Sequence, residues 1–306
     1  MPSYRYITAD VFTARTFGGN QLAVLPDARG LTTEHMQAIT REFNYAESTF
    51  VLPPDNPAHT RRVRIFTPGE EMPFAGHPTV GTAFVLAAIG EIPLTGDETR
   101  IVFEEGVGPV PVAIRAVNGA PTFCQLSVAK LPEIFPPVAS REELAPLLSL
   151  EVDDLRDGVF HPQAVSCGLP FTFIPLRHRA AVSRVKFRLD LWERTLAHLP
   201  NHMVMVFAME AEAAGHDVRA RMFGPGVGVT EDPATGSACA ALGGYLAARD
   251  PRRDGTLRWI VEQGYELGRP SVIDVEADKV AGAITGVRVG GPSVLVCEGT
   301  IRIPAH

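Results

Sequence analysis

The sequence predicts an α+β fold built from a duplicated unit, and three observations carry that prediction. Two strand–turn–strand segments echo each other: Phe50 and Phe66 are 16 residues apart, Phe207 and Phe223 are also 16 apart, and the offset between them is 157. After each second strand comes a similar loop, Pro73-Phe-Ala-Gly76-His77 in one half and Pro233-Ala-Thr-Gly236-Ser237 in the other, at an offset of 160. Each loop then enters a helix of small and apolar residues, 79–89 and 238–248. A helix that is apolar all round must be buried. Strand, loop and helix in the same order twice point to internal repetition.

The elements follow in order. Residues 12–26 read as a short strand, a Gly18-Gly19-Asn20 turn and a second strand at 22–25. A helix follows Leu31: Thr32 or Thr33 can cap it, and Met36, Ile39 and Phe43 recur at helical spacing. Residues 49–52 form a strand, 53–57 a proline-rich turn, and 62–66 alternate polar with apolar as a half-buried strand does. In the second half, a helix at 189–199 precedes a strand at 203–207. An alternating strand at 218–223 then leads into a Gly/Pro loop at 224–236, and 293–303 alternates again near the end.

Composition sets the bounds. A chain of 306 residues has room for two domains at roughly 150 residues each. Glycine (28) and proline (26) make up 54 residues, about 18 % against a usual ~12 %, which favours short elements and tight turns over a coiled coil. The net charge is −7 and no run of five like charges occurs, so a nucleic-acid partner is not expected. The first residues lack the apolar core of a signal peptide, and no apolar stretch reaches the ~18 residues of a membrane span. The expectation is a cytoplasmic protein without a membrane partner. Cys124, Cys167, Cys239 and Cys297 show no CxxC spacing and read as reduced core residues. None of the nine histidines forms an HExxH pair, so no metal is expected. Gly224-Pro-Gly-Val-Gly228 lacks GxGxxG spacing, and no serine sits in GxSxG, which removes a dinucleotide fold and an α/β-hydrolase.

Two related domains place equivalent loops beside one cleft, and domain interfaces favour ligands. Each loop here ends at a helix start, where unpaired N–H groups and the positive end of the helix dipole suit a carboxylate. Taken singly, each is also an ordinary capped helix start; the pairing makes the two readings level. Glu47, His77 and Asp232 stand close to these segments in the chain. A carboxylate in a dry cleft can exchange protons with carbon. Spacing alone favours a cap or surface role for each of the three.

Longer motifs go further. They include Asp10-Val-Phe-Thr13, Phe17-Gly-Gly-Asn20-Gln-Leu-Ala-Val24 and Glu42-Phe-Asn-Tyr-Ala-Glu47-Ser-Thr-Phe-Val51. Arg64-Ile-Phe-Thr-Pro68, Pro73-Phe-Ala-Gly76-His77-Pro-Thr-Val-Gly81, Glu231-Asp232-Pro-Ala-Thr-Gly236-Ser237-Ala238 and Gln263-Gly264-Tyr-Glu-Leu-Gly268-Arg269-Pro270-Ser271 complete the set. With them the chain resembles the phenazine-biosynthesis PhzF family, which is related in fold to diaminopimelate epimerase.

The resemblance implies two pseudo-symmetric epimerase-like lobes, each a sheet wrapped around a central helix, with the active site between them. Residues 1–120 would form the first lobe, with 288–306 returning to it, and 121–287 the second. It implies cofactor-free isomerisation, with Glu47 moving a proton between two carbons on one face of a small carboxylic acid. His77 and Asp232 would orient the substrate, Ser237, Gly76 and Gly236 would hold its carboxylate, and Asn20 would line the same region. The family's characterised substrate is trans-2,3-dihydro-3-hydroxyanthranilate, and the family forms homodimers.

Related epimerases use two cysteine bases, one from each repeat. Here the first loop has no cysteine, and Thr79 stands opposite Cys239 in the repeat. Two alternatives stay open: an epimerase or racemase pairing Glu47 with Asp232, and a non-catalytic binding protein of the same fold.

Overall fold

A computed structural model describes residues 2–136 and 139–304. The chain forms two compact units: one ends at Ala129 and resumes at Gly290, and the other is Lys130–Val289. The first unit holds β1 (Ser3–Val11), β2 (Asn20–Leu25), α1 (Thr33–Phe43), β3 (Glu47–Leu52), β4 (Arg61–Phe66) and β5 (Glu71–Met72). It continues with α2 (Gly76–Ala88), β6 (Glu98–Glu105), β7 (Gly108–Val117) and β8 (Ala120–Ser127). A cut at 120 would divide the antiparallel β7–β8 hairpin.

The second unit holds β9 (Glu133–Ile134), α3 (Arg141–Leu147), β10 (Gln163–Ser166), β11 (Pro170–Pro175), α4 (Arg179–Arg184) and α5 (Leu189–Thr195). It continues with β12 (Met203–Ala208), β13 (Val218–Gly224), β14 (Val229–Asp232), α6 (Gly236–Ala247), β15 (Gly255–Gln263), β16 (Ser271–Val280) and β17 (Ala283–Gly291). Strand β18 (Ser293–Arg302) then pairs antiparallel with β1 in the first unit.

Repetition is written in the pairing pattern. In the first unit β1–β2 is antiparallel, β2–β3 parallel, β3–β4 and β4–β5 antiparallel, β4–β6 parallel and β6–β7 antiparallel. In the second, β10–β11, β11–β12, β12–β13, β13–β14, β13–β15 and β15–β16 follow the same sequence of directions. The strands of each unit pack on one apolar helix. Residues 76–87 of α2 are all buried, and in α6 only Ser237 is not. Gly81 lets α2 approach the sheet: a Cβ there would lie 2.5 Å from Val11 and 2.6 Å from Leu22. Helix α1 packs on a separate apolar cluster, where Met36 and Ile39 meet Leu25, Phe50 and Phe66.

Side chains repeat as well. Glu104 accepts from the backbone N–H groups of Asp55 and Asn56 and lies 2.8 Å from His59 Nδ1. Glu262 accepts from those of Glu212 and Ala213 and lies 2.8 Å from His216 Nδ1. Each carboxylate thereby ties down the connection between two strands. Arg64 forks onto Glu71 and lies over the Phe66 ring, and Arg221 forks onto Glu231 over the Phe223 ring, with 5.1 Å to the centroid in both.

Four expectations need correction. The first strand precedes Phe12, whose left-handed φ of 65° ends it. The helix expected at 189–199 stops at Thr195. The two central helices begin earlier than expected, at Gly76 and Gly236, so His77 and Ser237 lie in their first turns. The match of Phe50 with Phe207 is one residue out of register. Ser48 pairs with Phe66 while Val204 pairs with Phe223, so Phe50 corresponds to Val206 and Glu47 to Met203. A one-residue slip moves a side chain to the other face of a strand. Phe50 accordingly packs under α1, and Phe207 meets Tyr245 of the central helix α6.

A fifth correction concerns the cysteines expected in the core: Cys124, Cys167 and Cys239 are buried, but Cys297 is exposed on β18, with its Sγ 2.8 Å from the Thr8 hydroxyl. Among the described residues no helix is long and apolar enough to cross a membrane.

Candidate active site

Three elements of the first unit bring Asn20, Glu47 and His77 together. Asn20 opens β2, Glu47 opens the parallel neighbour β3, and His77 is the second residue of α2. Asn44, in the left-handed conformation at φ 54°, ends α1 and turns the chain towards β3. Asn20 Nδ2 lies 3.2 Å from His77 Nδ1. With the amide donating, Nδ1 is the acceptor and Nε2 carries the ring proton. That Nε2 is 3.3 Å from the Gln21 carbonyl and 3.6 Å from Glu47 Oε2.

His77 is only 3 % exposed. Burial pushes its pKa down to about 3, against a smaller upward effect of the Gln21 carbonyl. The ring is therefore neutral, and its approach to Glu47 is a polar contact rather than an ion pair. The Glu47 side chain keeps 19 % of its surface exposed, so it is partly desolvated yet reachable.

The loop before β2 is also fixed from within. The Asp10 carboxylate accepts from the Phe17 N–H at 2.6 Å. Gly19 has a φ of 59°, and a Cβ there would lie 2.2 Å from the Val11 carbonyl oxygen.

Asp232 and Ser237 belong to the second unit. Asp232 ends β14 and is buried, and its Oδ2 accepts from the Thr235 hydroxyl at 2.6 Å. Gln263 Nε2 donates to the Asp232 carbonyl at 2.7 Å and to Thr235 Oγ1 at 3.0 Å, while its Oε1 accepts from Thr235 N–H at 3.1 Å. Gly264, at φ 79°, closes this arrangement: a Cβ would sit 2.5 Å from the Pro233 carbonyl.

Neither central helix has a side-chain cap at its start. Ala75 has no polar side chain to offer, and the Thr235 hydroxyl is turned to Asp232. First-turn N–H groups lack intrahelical partners, so both starts suit an anionic group. Pro78 has no N–H to leave orphaned, and Ser237 is partly exposed at the start of α6.

Cys239 is fully buried, and burial, reinforced by the Asp232 charge, pushes its thiol far above the usual range. It cannot act as a thiolate base. Sequence reasoning left Gln21, Thr235 and Gln263 without roles. Gln21 and Gln263 lie inside the long motifs, but a backbone acceptor and a loop-fixing amide have no spacing pattern of their own.

The profile of the phenazine biosynthesis-like protein family (PhzC-PhzF) matches residues 9–299. The chain is 35 % identical to the trans-2,3-dihydro-3-hydroxyanthranilate isomerase of Pseudomonas aeruginosa, over 97 % of this chain and 98 % of that protein. The chain belongs to the phenazine biosynthesis-like family. Like its relatives, this family member is an enzyme of the isomerase class. The crystal structure of a Bacillus anthracis PhzF-family protein superposes with a TM-score of 0.89 at 29 % identity, over 99 % of this chain and all (100 %) of that one. A probable proline racemase from Agrobacterium radiobacter shares the fold alone, at 14 % identity and a TM-score of 0.64, covering 99 % and 93 % of the two chains. The expected epimerase-like fold class thus holds for this family member.

Proposed function

We propose that this family member is a cofactor-independent isomerase acting on a small carboxylic acid of the trans-2,3-dihydro-3-hydroxyanthranilate type. Glu47 is its acid/base: the carboxylate takes a proton from one carbon and returns it to another on the same face, and the double bond shifts. The neutral His77, whose Nε2–H donates to the Gln21 carbonyl, lies 3.6 Å from Glu47 Oε2 and leaves that carboxylate unneutralised by the ring. Asn20 fixes the His77 ring, the uncapped helix start at Gly76 offers N–H groups to a substrate carboxylate, and Gly236 and Ser237 offer the same in the second unit. Asp232 orients the substrate's polar substituents.

The observation that carries this reading is the asymmetry of the repeats. The register counterpart of Glu47 is Met203, and the counterpart of Cys239 is Thr79. One well-placed carboxylate suffices for same-face transfer, whereas racemisation needs a base on each face. The relative of that name supports the substrate class.

An absorbance time course with trans-2,3-dihydro-3-hydroxyanthranilate tests it. Wild type turns over and Glu47→Gln loses roughly 10²–10⁴ in rate. Near-wild-type turnover by the variant would sink the role of Glu47. If neither protein turns over, the substrate class is wrong, and deuterium exchange of other carboxylic acids in D₂O becomes the screen.

A further inference from the structure

Glu105, the last residue of β6, is a buried carboxyl group that the proposed reaction does not use. Its Oε1 lies 2.7 Å from Thr79 Oγ1, in the first turns of α2, and the same hydroxyl lies 2.7 Å from the Ala75 carbonyl oxygen. A hydroxyl has one proton to donate. An ionised Glu105 would leave one of these two short contacts between bare acceptors. A protonated Glu105 satisfies both: its O–H donates to Thr79, and Thr79 donates to Ala75. The second oxygen, Oε2, is buried and has no hydrogen-bond partner among the described residues, which suits a neutral carbonyl oxygen and not a charge.

The repeat supplies an independent comparison. Arg61 pairs with Phe103 and Val218 with Val261, so the residue two beyond each is Glu105 in one unit and Gln263 in the other. Gln263 is neutral by nature and holds the chain just ahead of α6 through Asp232 and Thr235. We propose that Glu105 is kept as a neutral carboxylic acid and serves as a positioning residue, donating to Thr79 and so fixing the first turn of α2 that carries His77.

Burial pushes its pKa up to about 8, with Thr79 pulling weakly the other way. The charged groups around it are otherwise engaged. Arg64 pairs with Glu71, Arg62 with Asp55, and Glu104 with His59, while His77 on α2 is neutral. Glu105 also borders a cavity of about 350 Å³ lined by Arg62, Arg64, Glu71 and Glu104.

The protonation stands on geometry alone; the link to His77 rests on the function proposed above. Infrared spectra of wild type and Glu105→Gln at pH 7 test the first part. A protonated-carboxyl C=O band is expected in wild type only, bleaching as pH rises through about 8. Absence of that difference overturns the proposal whatever the enzyme's substrate.

Melting curves add a second readout. From pH 4.5 to about 8 the folded protein keeps a proton that the unfolded chain has released, so wild-type stability falls over that window. The Tm of Glu105→Gln relative to wild type should therefore rise across that window and level off above it. A constant difference overturns the proposal.

With turnover in hand, wild-type kcat should fall as pH rises through about 8, where an ionised Glu105 no longer donates to Thr79. Glu105→Gln retains kcat and lacks that decline, while Glu105→Ala drops kcat about 10²-fold with little change in KM. Equal loss in both variants, or none in Glu105→Ala, overturns the positioning role. If wild type itself fails to turn over, the function reading fails while the infrared and melting results still decide Glu105.

Discussion

The two units share a scaffold down to individual hydrogen bonds and differ where the chemistry is expected. Both pin a strand connection with a carboxylate and a histidine, Glu104 with His59 and Glu262 with His216. Both fork an arginine onto a glutamate over a phenylalanine. At the helix starts they part. The first unit gathers Asn20, Glu47 and a neutral His77, whereas the second has Met203 at the position equivalent to Glu47 and spends its polar groups on holding Asp232 and Thr235 in place. A second difference lies on the other face. Arg219 stacks on Tyr265 and pairs with Glu266, but its counterpart Arg62 pairs with Asp55 beside an open cavity. A duplicated scaffold keeps what fixes the backbone and is free to diverge where a side chain only has to meet a ligand.

The largest effect tests the divergence directly. Glu47→Gln should lose roughly 10²–10⁴ in kcat without loss of Tm, whereas Met203→Ala at the counterpart should lower stability by about 2–5 kcal/mol and leave kcat near wild type. Paired losses of activity would break the comparison.

Next come the shared carboxylates. The Glu262 side chain is wholly buried, while that of Glu104 keeps 14 % exposure, so Glu262→Gln should lower Tm more than Glu104→Gln. Both carboxyls sit below the usual range. For Glu104 the Asp55 and Asn56 N–H groups are the main cause; for Glu262 the donors outweigh burial. Their stabilisation is therefore present above pH 4.5 and lost as pH falls below it, and each variant should show a smaller acid decline in melting experiments.

The register difference predicts smaller couplings. Phe50 packs edge-on against Phe66 and Phe207 against Tyr245, each at 5.4 Å between centroids. Double-mutant cycles should give about 0.5–1.5 kcal/mol for each of these pairs and nothing for Phe50 with Tyr245.

The smallest expected signal is none. His77 should not titrate by NMR between about pH 5 and 9, because burial holds it neutral. It contributes to a stability loss only as pH falls from 6.5 towards 3, where the unfolded chain takes up a proton that the folded one refuses.

Much of the fold is legible in the sequence because local patterns dictate it. Helices apolar on every side have only a core to occupy, alternating segments such as 62–66 have only a half-buried strand, and the loop glycines mark where backbone approaches backbone. The motifs around Glu47, His77 and Asp232 are likewise plain in the order of residues alone. What the chain could not display was decided by neighbours distant in sequence. Whether Phe50 matches Val206 or Phe207 depends on strand pairing, since period-two alternation is identical after a one-residue shift. Whether His77 is charged, and whether Glu105 carries a proton, depends on how much water surrounds each group and which donors face it. Charge state is a property of the environment, and only the folded chain creates that environment.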